Sequence, residues 1–346
     1  MNHLDLKNGL SGLMRLKNEG PFIKNCVESC IDALDELIIV YNDCTDDTPE
    51  IVEEMRKRYP DKVKAYAYNN HILSHNLTEA DFNIAKNLPE DSPRLHSSQC
   101  NFALSKANYK YAVKIDADQL YFTDELKKWR DVCSGDIPIK WNITFILGWF
   151  FMVYFSAYRH LSSKCRKPCL WMLPDWLFDL VITSYFNYAK WRLKKGTAAI
   201  ALSGFNVFKD IKWYIPFDGF NIHPPYNGEG DTLIFRISKN TYYTKFVNYK
   251  SRSVTEKFHH SYKMMFAGPM WFHLHANREY CWSKIKKTKD EYPELFVPLE
   301  EFSLMSYKEI HNRLNKKSHT LYQRILFAFI HKAGIKKMKE YSSLLK

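Results

Sequence analysis

Cysteine is scarce in this sequence: eight cysteines among 346 residues are too few for a disulfide-rich scaffold. Cys26/Cys30 and Cys165/Cys169 are each separated by three residues, whereas zinc knuckles use two. We therefore interpret Cys26 and Cys30 as small buried thiols on the apolar face of a helix. The first residues also lack the apolar stretch of a secretory signal, so a reducing cytoplasm is the expected compartment.

Apolar runs long enough to cross a membrane are also missing. Ile143–Phe155 is an uncharged run of 13 residues, and Leu170–Tyr188 is interrupted by one proline and two aspartates. A spanning helix needs roughly 20 apolar residues. Residues 140–195 are therefore expected to form either a buried core or an interfacial, lipid-acceptor surface, and the tryptophans in this segment favour the second.

The net positive charge of the chain is concentrated in the C-terminal tail. The chain has 50 basic and 38 acidic residues, a formal charge of +12. From Asn312 onwards there are nine basic residues and only Glu340 as an acid, which leaves +8 in the tail and a nearly neutral remainder. This distribution argues against a nucleic-acid-binding core. The tail, with its apolar Ile325–Ile330 beside clustered lysines, either docks on the core as a terminal helix or attaches to an anionic membrane surface.

The first 130 residues alternate predicted strands with predicted helices. Such alternation indicates an α/β fold with a parallel sheet covered by helices on both faces. Ligands bind such sheets at the carboxyl ends of the strands. The predicted strands are Leu10–Leu16, Leu37–Tyr41, Val63–Tyr68 and Tyr111–Asp116, and the predicted helices begin at Pro21, at Thr48 and near Cys100.

Two polar motifs fall at the predicted strand ends. Asn42-Asp43 follows the second strand, and Asp116-Ala117-Asp118 ends the strand that begins at Tyr111. Two carboxylates spaced two residues apart at a strand end can share a divalent cation, Mn²⁺ or Mg²⁺. Such a cation neutralises a departing diphosphate. The motif is weak alone and gains weight from its position after a strand.

Several ordered blocks resemble the large family 2 of inverting nucleotide-sugar glycosyltransferases, which have the GT-A fold, a Rossmann-like mixed sheet flanked by helices. The blocks lie in the family's order between residues 10 and 240, which is more specific than any single motif. They are Arg15–Glu19, Leu37–Thr48, Lys114–Asp118, Ser203–Phe208 and Gly228–Ile237.

The resemblance implies roles for individual residues. Leu16, Asn18, Asn42, Asp43 and Asp116 would contact a nucleotide-sugar donor, most simply a UDP-sugar. Asp116 would also share the divalent cation with Asp118. Tyr41 departs from the family pattern by standing where the family has its first acid.

The resemblance also implies a general base in the last block, where the family's acidic pair is broken as Glu229-Gly230-Asp231. A carboxylate there would take the proton of the acceptor hydroxyl during an inverting displacement. Either Asp231 or Glu229 could serve. We favour Asp231 because it immediately precedes a predicted helix, Thr232–Arg236, which it could also cap.

Histidines add one further candidate site. His273 and His275 alternate along a predicted strand and would point to one face, where the resemblance suggests a further metal ligand. A pair of hydrogen-bonded structural histidines is the alternative. The remaining histidines considered are expected to be surface residues without a role: His71, His75, His96, His259 and His260.

The sequence thus predicts a metal-dependent inverting glycosyltransferase acting on a bacterial surface glycan, such as lipooligosaccharide or capsule, or on a lipid-linked saccharide. It would work in the cytoplasm, peripherally on the inner face of the cytoplasmic membrane. A sugar-nucleotide nucleotidyltransferase is less favoured because its Gly-rich phosphate loop is missing, and a non-catalytic glycan-binding protein because Asp116 and Asp118 are intact. The predicted divisions are 1–139 (nucleotide-sugar half), 140–195 (hydrophobic insertion), 196–290 (acceptor half) and 291–346 (basic helical tail).

Overall fold

A computed structural model of the chain describes residues 6–161, 175–217, 226–305, 309, 313 and 337–345, without the side chains of residues 154–179 and 226–231. The chain divides into two compact units. The first comprises Met1–Asp118, Leu126–Ile137 and Leu233–Lys263. The second comprises Gln119–Glu125, Pro138–Thr232 and Met264–Lys346.

The architecture is mixed α/β, as the alternation of strands and helices predicts. The strands are β1 (Lys7–Leu16), β2 (Glu36–Tyr41), β3 (Val63–Ala67), β4 (Tyr109–Ile115), β5 (Gln119–Tyr121), β6 (Ala198–Asn206), β7 (Phe208–Lys209), β8 (Trp213–Pro216), β9 (Tyr226–Arg236), β10 (Tyr242–Asn248), β11 (Ser253–His259), β12 (Lys263–His273) and β13 (Phe296–Pro298). The helices are α1 (Gly20–Cys30), α2 (Thr48–Arg58), α3 (Glu79–Asn87), α4 (His96–Ser105), α5 (Thr123–Ser134), α6 (Phe145–Leu161), α7 (Asp175–Lys194), α8 (Glu279–Glu291) and α9 (Leu299–Leu304).

The first unit is built on four parallel strands in the order β3-β2-β1-β4, and the end of β9 pairs antiparallel to β4. The strands β1 and β2 are almost wholly buried, because helices cover both faces of a parallel sheet. At Gly12 the side chain of Leu34 packs directly against the backbone of β1, since a Cβ there would lie 2.7 Å from a methyl group of Leu34. All four predicted strands and the helices beginning near Pro21 and Thr48 are confirmed.

Two local expectations in this unit need adjustment. The helix predicted from about Cys100 begins four residues earlier, at His96, which moves that histidine onto the first turn of α4. The polar stretch before it contains α3, whose N-terminus is capped by Thr78: its hydroxyl oxygen accepts a hydrogen bond from the amide of Asp81 (3.1 Å). Phe82 is buried on the apolar face of α3.

The segment around Asp231 is a strand, so the predicted helix at Thr232–Arg236 is wrong. These residues belong to β9, and Ile234 and Phe235 pair with Val113 and Ala112 of β4. The buried run from Thr232 to Phe235 satisfies its backbone in the sheet, and this tertiary pairing overrides the local helical pattern. Asp231 is therefore not a helix N-cap.

The second unit has the strand order β9-β6-β12-β5, and a separate small sheet has the order β13-β8-β7. Every residue of β6 is buried. Gly204 of β6 is required by close packing, because a Cβ there would lie 2.1 Å from the indole nitrogen of Trp271. The predicted hydrophobic insertion contains α6 and α7, which pack against each other.

Most of the predicted basic tail lies outside the described residues. In the described part, Lys337–Leu345, Tyr341 stacks on Phe122 with ring centroids 4.8 Å apart, and Lys337 lies 2.8 Å from Glu125. The end of the chain is therefore held against the second unit. Among the described residues, no helix combines the length and apolarity needed to traverse a bilayer.

Candidate active site

The carboxyl ends of β1, β2 and β4 lie side by side in the first unit. The backbone N–H of Asn42 donates a hydrogen bond to the backbone carbonyl oxygen of Leu16 (3.2 Å). This bond ties the residue after β2 to the end of β1. Asn18, two residues after β1, and Asp43, two residues after β2, have positive φ angles of 55° and 44°. Non-glycine residues in this left-handed region are uncommon and tend to occur at functional sites.

Asn42 and Asp43 are both held in place by neighbouring side chains. The buried Asn42 accepts a hydrogen bond on its side-chain oxygen from Gln99 of α4 (2.9 Å). Asp43 is bonded to His71 Nδ1 (2.6 Å) and lies 3.6 Å from Lys17 Nζ. Partial burial tends to raise the pKa of Asp43, but His71 and Lys17 outweigh it and lower that pKa, so Asp43 is ionised at neutral pH.

The side chain of Asn18 is hydrogen-bonded to the loop that follows β2. Its side-chain oxygen accepts from the amide of Thr45 (2.8 Å), and its side-chain nitrogen donates to the hydroxyl of the same residue (3.0 Å). Leu16 contributes its carbonyl oxygen to the Asn42 amide, as described above. Both residues therefore shape the strand ends, and a direct contact of either with a donor stays a prediction.

Asp116 and Asp118 follow β4 at the same sheet edge, as the motif predicts. Asp118 is buried, and Asp116 lies 3.2 Å from Lys114 Nζ. The thiol of Cys26 donates to the backbone carbonyl of Asp116 (3.3 Å) and so contributes to fixing the turn. Carboxylate oxygens are the ligands that Mg²⁺ and Mn²⁺ prefer, so this donor set fits a divalent cation.

Beneath this edge lies a largely buried polar cluster in which the side chains of the charged members are 7–19% exposed. We call Arg15, His96, Cys100 and Glu256 the buried cluster. Arg15 projects from the end of β1 and donates a hydrogen bond to Cys100 Sγ (2.9 Å); it also lies 3.9 Å from Glu256. His96 Nδ1 contacts the other oxygen of Glu256 (2.8 Å). The Nε atom of Arg15 is buried with no hydrogen-bond partner.

The charges of the buried cluster depend on one another. Burial would lower the pKa of His96, but its neighbours Cys100 and Glu256 raise it to about 9, so His96 is protonated at neutral pH. Burial would raise the pKa of Glu256, but His96 and Arg15 hold it well below the usual range. At pH 7 one carboxylate therefore faces two cations.

The buried cluster also brings together three possible metal-ligand atoms, from His96, Cys100 and Glu256, within 4.8 Å of one another. Each of them is already bonded to a charged partner: Arg15 donates to Cys100, and protonated His96 donates to Glu256. A divalent cation would have to displace a guanidinium and a proton. The arrangement therefore favours a structural ion-pair network over a second metal site.

The buried cluster joins the β10–β11 hairpin to α4. Asn101 makes two hydrogen bonds to the backbone of Tyr243 in β10, each 2.8 Å long. The expectation that His96 is a surface residue without a role is therefore wrong. Its i, i+4 relation to Cys100 was a local signal, but the partner that gives it a charge, Glu256, lies 160 residues away.

The other predicted site residues belong to segments described separately. Glu229 and Asp231 lie in β9, and their side chains are outside the described part of the structure. His273 ends β12, whereas His275 begins a 3₁₀ turn, so the prediction that both alternate along one strand is wrong for His275. Their rings nevertheless stack, with centroids 5.7 Å apart, and His273 Nδ1 contacts Asn206 Oδ1 (2.8 Å).

Comparison with known proteins agrees with this geometry. Residues 5–133 match the family model described as Beta-1,4-N-acetylgalactosaminyltransferase (CgtA). The matched segment contains β1, β2 and β4 with the polar residues at their ends. The protein is a glycosyltransferase. Its mixed sheet, with parallel β1–β4 and antiparallel β9, is the GT-A arrangement that the sequence resemblance implies.

Solved structures similar to this glycosyltransferase include TarS of S. aureus, residues 1–349, with 11% identity and a TM-score of 0.33 over 94% of this chain and 74% of that chain. The same protein in complex with UDP-GlcNAc gives 12% identity and a TM-score of 0.34, covering 96% and 73% of the two chains. Glucosyl-3-phosphoglycerate synthase of Mycobacterium tuberculosis, in complex with Mn²⁺, UDP and glucosyl-3-phosphoglycerate, gives 19% identity and a TM-score of 0.21. This match covers 32% of this chain and 34% of that chain. No curated protein sequence matches the chain significantly.

Proposed function

We propose that this glycosyltransferase is metal-dependent and inverting, and that it transfers a sugar from a UDP-sugar to a bacterial surface glycan or a lipid-linked saccharide. The observation that carries the proposal is the placement of Asp116 and Asp118 after β4, at the sheet edge where Asn42 and Asp43 follow β2. Parallel sheets bind their ligands at this edge. The residue types suit a base, a ribose and a diphosphate-bound cation in that order along the sheet.

In the proposed mechanism each residue has a separate task. Asn42, fixed by Gln99, and ionised Asp43 offer hydrogen-bonding groups to the nucleoside. Asp116 and Asp118 would hold the divalent cation, and His273 or His275 as a further ligand stays a prediction. The cation, when bound, would supply charge neutralisation for the departing nucleoside diphosphate.

The acceptor hydroxyl must lose its proton as the new glycosidic bond forms. A carboxylate within hydrogen-bond reach accepts that proton, and attack opposite the leaving group inverts the anomeric centre. We assign this task to Asp231, with Glu229 as the alternative. Because Asp231 lies in a strand and does not cap a helix, its replacement removes no helix cap.

The name of the matching family model gives the first donor to test, UDP-N-acetylgalactosamine. Donor hydrolysis should be measured over a panel of nucleotide sugars that includes UDP-N-acetylglucosamine, UDP-glucose and CMP- and GDP-sugars, each with manganese and with EDTA. We expect release of UDP from one UDP-sugar only when manganese is present. Hydrolysis confined to CMP- or GDP-sugars would overturn the donor assignment, and full activity in EDTA would overturn metal dependence.

We also propose that the enzyme works peripherally on the inner face of the cytoplasmic membrane, with the basic tail attracted to anionic lipid. The tail's charge of +8 supports this attraction. Because Tyr341 packs on Phe122, removal of charge tests the tail more cleanly than truncation. The variant replaces three lysines of the tail with glutamine: Lys332, Lys336 and Lys339. It should bind phosphatidylglycerol vesicles more weakly than wild type at 0.1 M salt, and unchanged binding would contradict the role of the tail.

A further inference from the structure

In residues 145–153, the part of helix α6 whose side chains are described, the side that faces solvent is apolar. Four of its side chains are 39–62% exposed and lie at positions i, i+3, i+4 and i+7, which form a single stripe along one helix face. We call this set the α6 stripe: Ile146, Trp149, Phe150 and Val153. The solvent-facing side of a helix on a globular protein is normally polar, so an apolar one indicates a surface that binds a partner.

The opposite face of α6 already has its partner. Phe145 and Phe151 contact Tyr188 and Tyr185 of α7, with ring centroids 6.2 and 5.7 Å apart. Gly148 lets the two helices approach closely, because a Cβ there would lie 2.4 Å from the carbonyl oxygen of Ser184. Among the described side chains, those of α7 therefore pack on the other face of α6 and leave the α6 stripe exposed.

The exposed apolar surface extends beyond the helix. Trp141 and Ile143, in the segment leading into α6, are 60% and 64% exposed. Six large apolar side chains are thus exposed within 13 residues of chain, whereas scattered single ones are normal on any protein surface. Contiguous exposed apolar patches indicate an interaction site.

The charge of the surrounding sequence identifies the partner. Residues 138–174 contain no aspartate or glutamate and five basic residues. An apolar, tryptophan-bearing helix in a stretch of sequence that carries basic and no acidic residues is typical of elements that lie in the interface of an anionic bilayer. The basic residues are Lys140, Arg159, Lys164, Arg166 and Lys167.

We propose that the α6 stripe, with Trp141 and Ile143, inserts into the interfacial region of an anionic membrane and lies parallel to its plane. No described helix is long and apolar enough to span, so the contact is superficial. A second copy of the chain is a poorer occupant, because residues 138–174 of each copy carry five basic residues and no acidic one, and like charges repel. The proposal deepens the peripheral membrane role proposed above and places it in α6 as well as in the tail.

The test compares two double variants of the full-length protein. Ile146→Ser with Phe150→Ser removes half of the α6 stripe. Ile211→Ser with Leu304→Ser is the matched control, because these side chains are 87% and 79% exposed but lie outside the stripe. Each protein is floated with vesicles of phosphatidylcholine and phosphatidylglycerol (1:1) at 0.1 and 0.5 M NaCl, and thermal unfolding confirms that each variant is folded.

We expect the stripe variant to lose about tenfold or more in vesicle partitioning and the control variant to match wild type. Part of the wild-type binding should persist at 0.5 M NaCl, because apolar insertion is not screened by salt whereas attraction of the tail is. Brominated lipid should quench tryptophan fluorescence of the wild type more than that of the stripe variant.

Equal partitioning of the stripe variant and wild type would overturn the proposal. So would a wild type that fails to bind these vesicles but sediments as a dimer that the stripe variant dissociates, which would assign the surface to a second copy. Donor hydrolysis measured without vesicles tests the glycosyltransferase proposal separately, since no stripe residue is assigned to the catalytic machinery.

Discussion

Replacing Glu256 with glutamine should destabilise the first unit strongly, because this carboxylate is the only anion assigned to the buried cluster at neutral pH. Glu256→Gln preserves the size of the side chain and its ability to accept a hydrogen bond. It leaves the guanidinium of Arg15 and the imidazolium of His96 next to each other without a counter-charge. Breaking a buried ion pair from one side is costly, because the other charge stays desolvated.

The magnitude follows from the pKa of His96. The pKa rises from 6.5 to about 9 on folding, and each pKa unit corresponds to about 1.4 kcal/mol. The protonated form is therefore favoured by about 3 kcal/mol in the folded state, a sum over Cys100 and Glu256. Cys100 stays in place in the variant, so only part of this energy is lost with Glu256. Since Arg15 also loses its partner, we expect Glu256→Gln to lower the free energy of unfolding by about 2 kcal/mol at pH 7.

The pH dependence gives this prediction its sign. A raised histidine pKa contributes stability that is fully present below pH 6.5 and is lost as the pH rises towards 9. The lowered pKa of Glu256 contributes stability that is present above about 4.5 and is lost below it. The difference between wild type and Glu256→Gln should therefore be largest between pH 4.5 and 6.5 and should shrink towards pH 9.

Urea unfolding followed by circular dichroism at pH 6, 7.5 and 9.5 measures these differences. Glu53→Gln is the control: Glu53 is also paired with an arginine, Arg56, but on the exposed surface of α2, where such a pair contributes little. We expect its unfolding midpoint to match wild type at each pH. A Glu256→Gln variant as stable as wild type at pH 6, or a loss independent of pH, would refute the reasoning about His96.

Three further predictions concern the proposed active site. Asp118→Asn should abolish manganese-dependent transfer without unfolding the protein; activity retained in this variant would remove Asp118 from the metal site. Asp231→Asn should lower kcat by about 10²-fold or more at saturating donor with unchanged nucleotide affinity by calorimetry, whereas Glu229→Gln should lose much less; the reverse pattern would move the base by two residues. Gln99→Ala should weaken UDP binding about fivefold, the worth of roughly one hydrogen bond, because it releases Asn42; unchanged affinity would contradict a role for Asn42 in holding the nucleoside.

The sequence by itself determined the parallel core of the first unit. The apolar runs of β1, β2, β3 and β4 and the proline near the start of α1 are local signals, and each was placed within a few residues. The strand-end motifs are equally local, because a residue that follows a buried parallel strand necessarily lies at the carboxyl edge of the sheet. The position of Asp116 and Asp118 could therefore be predicted before the fold was known.

Only the tertiary structure decided the conformation of β9 and the charges beneath the site. Residues 232–236 have a pattern compatible with a helix start, and their pairing with β4, more than 100 residues earlier, made them a strand. Arg15 and His96 became partners in an ion-pair network through Glu256, which lies 241 residues after Arg15 and 160 residues after His96 in the sequence. The exposure of the α6 stripe was likewise set by which face α7 covered. Periodicity records the repeat of a single element, whereas the pairing of strands, the burial of charge and the choice of covered face depend on residues brought together only by folding.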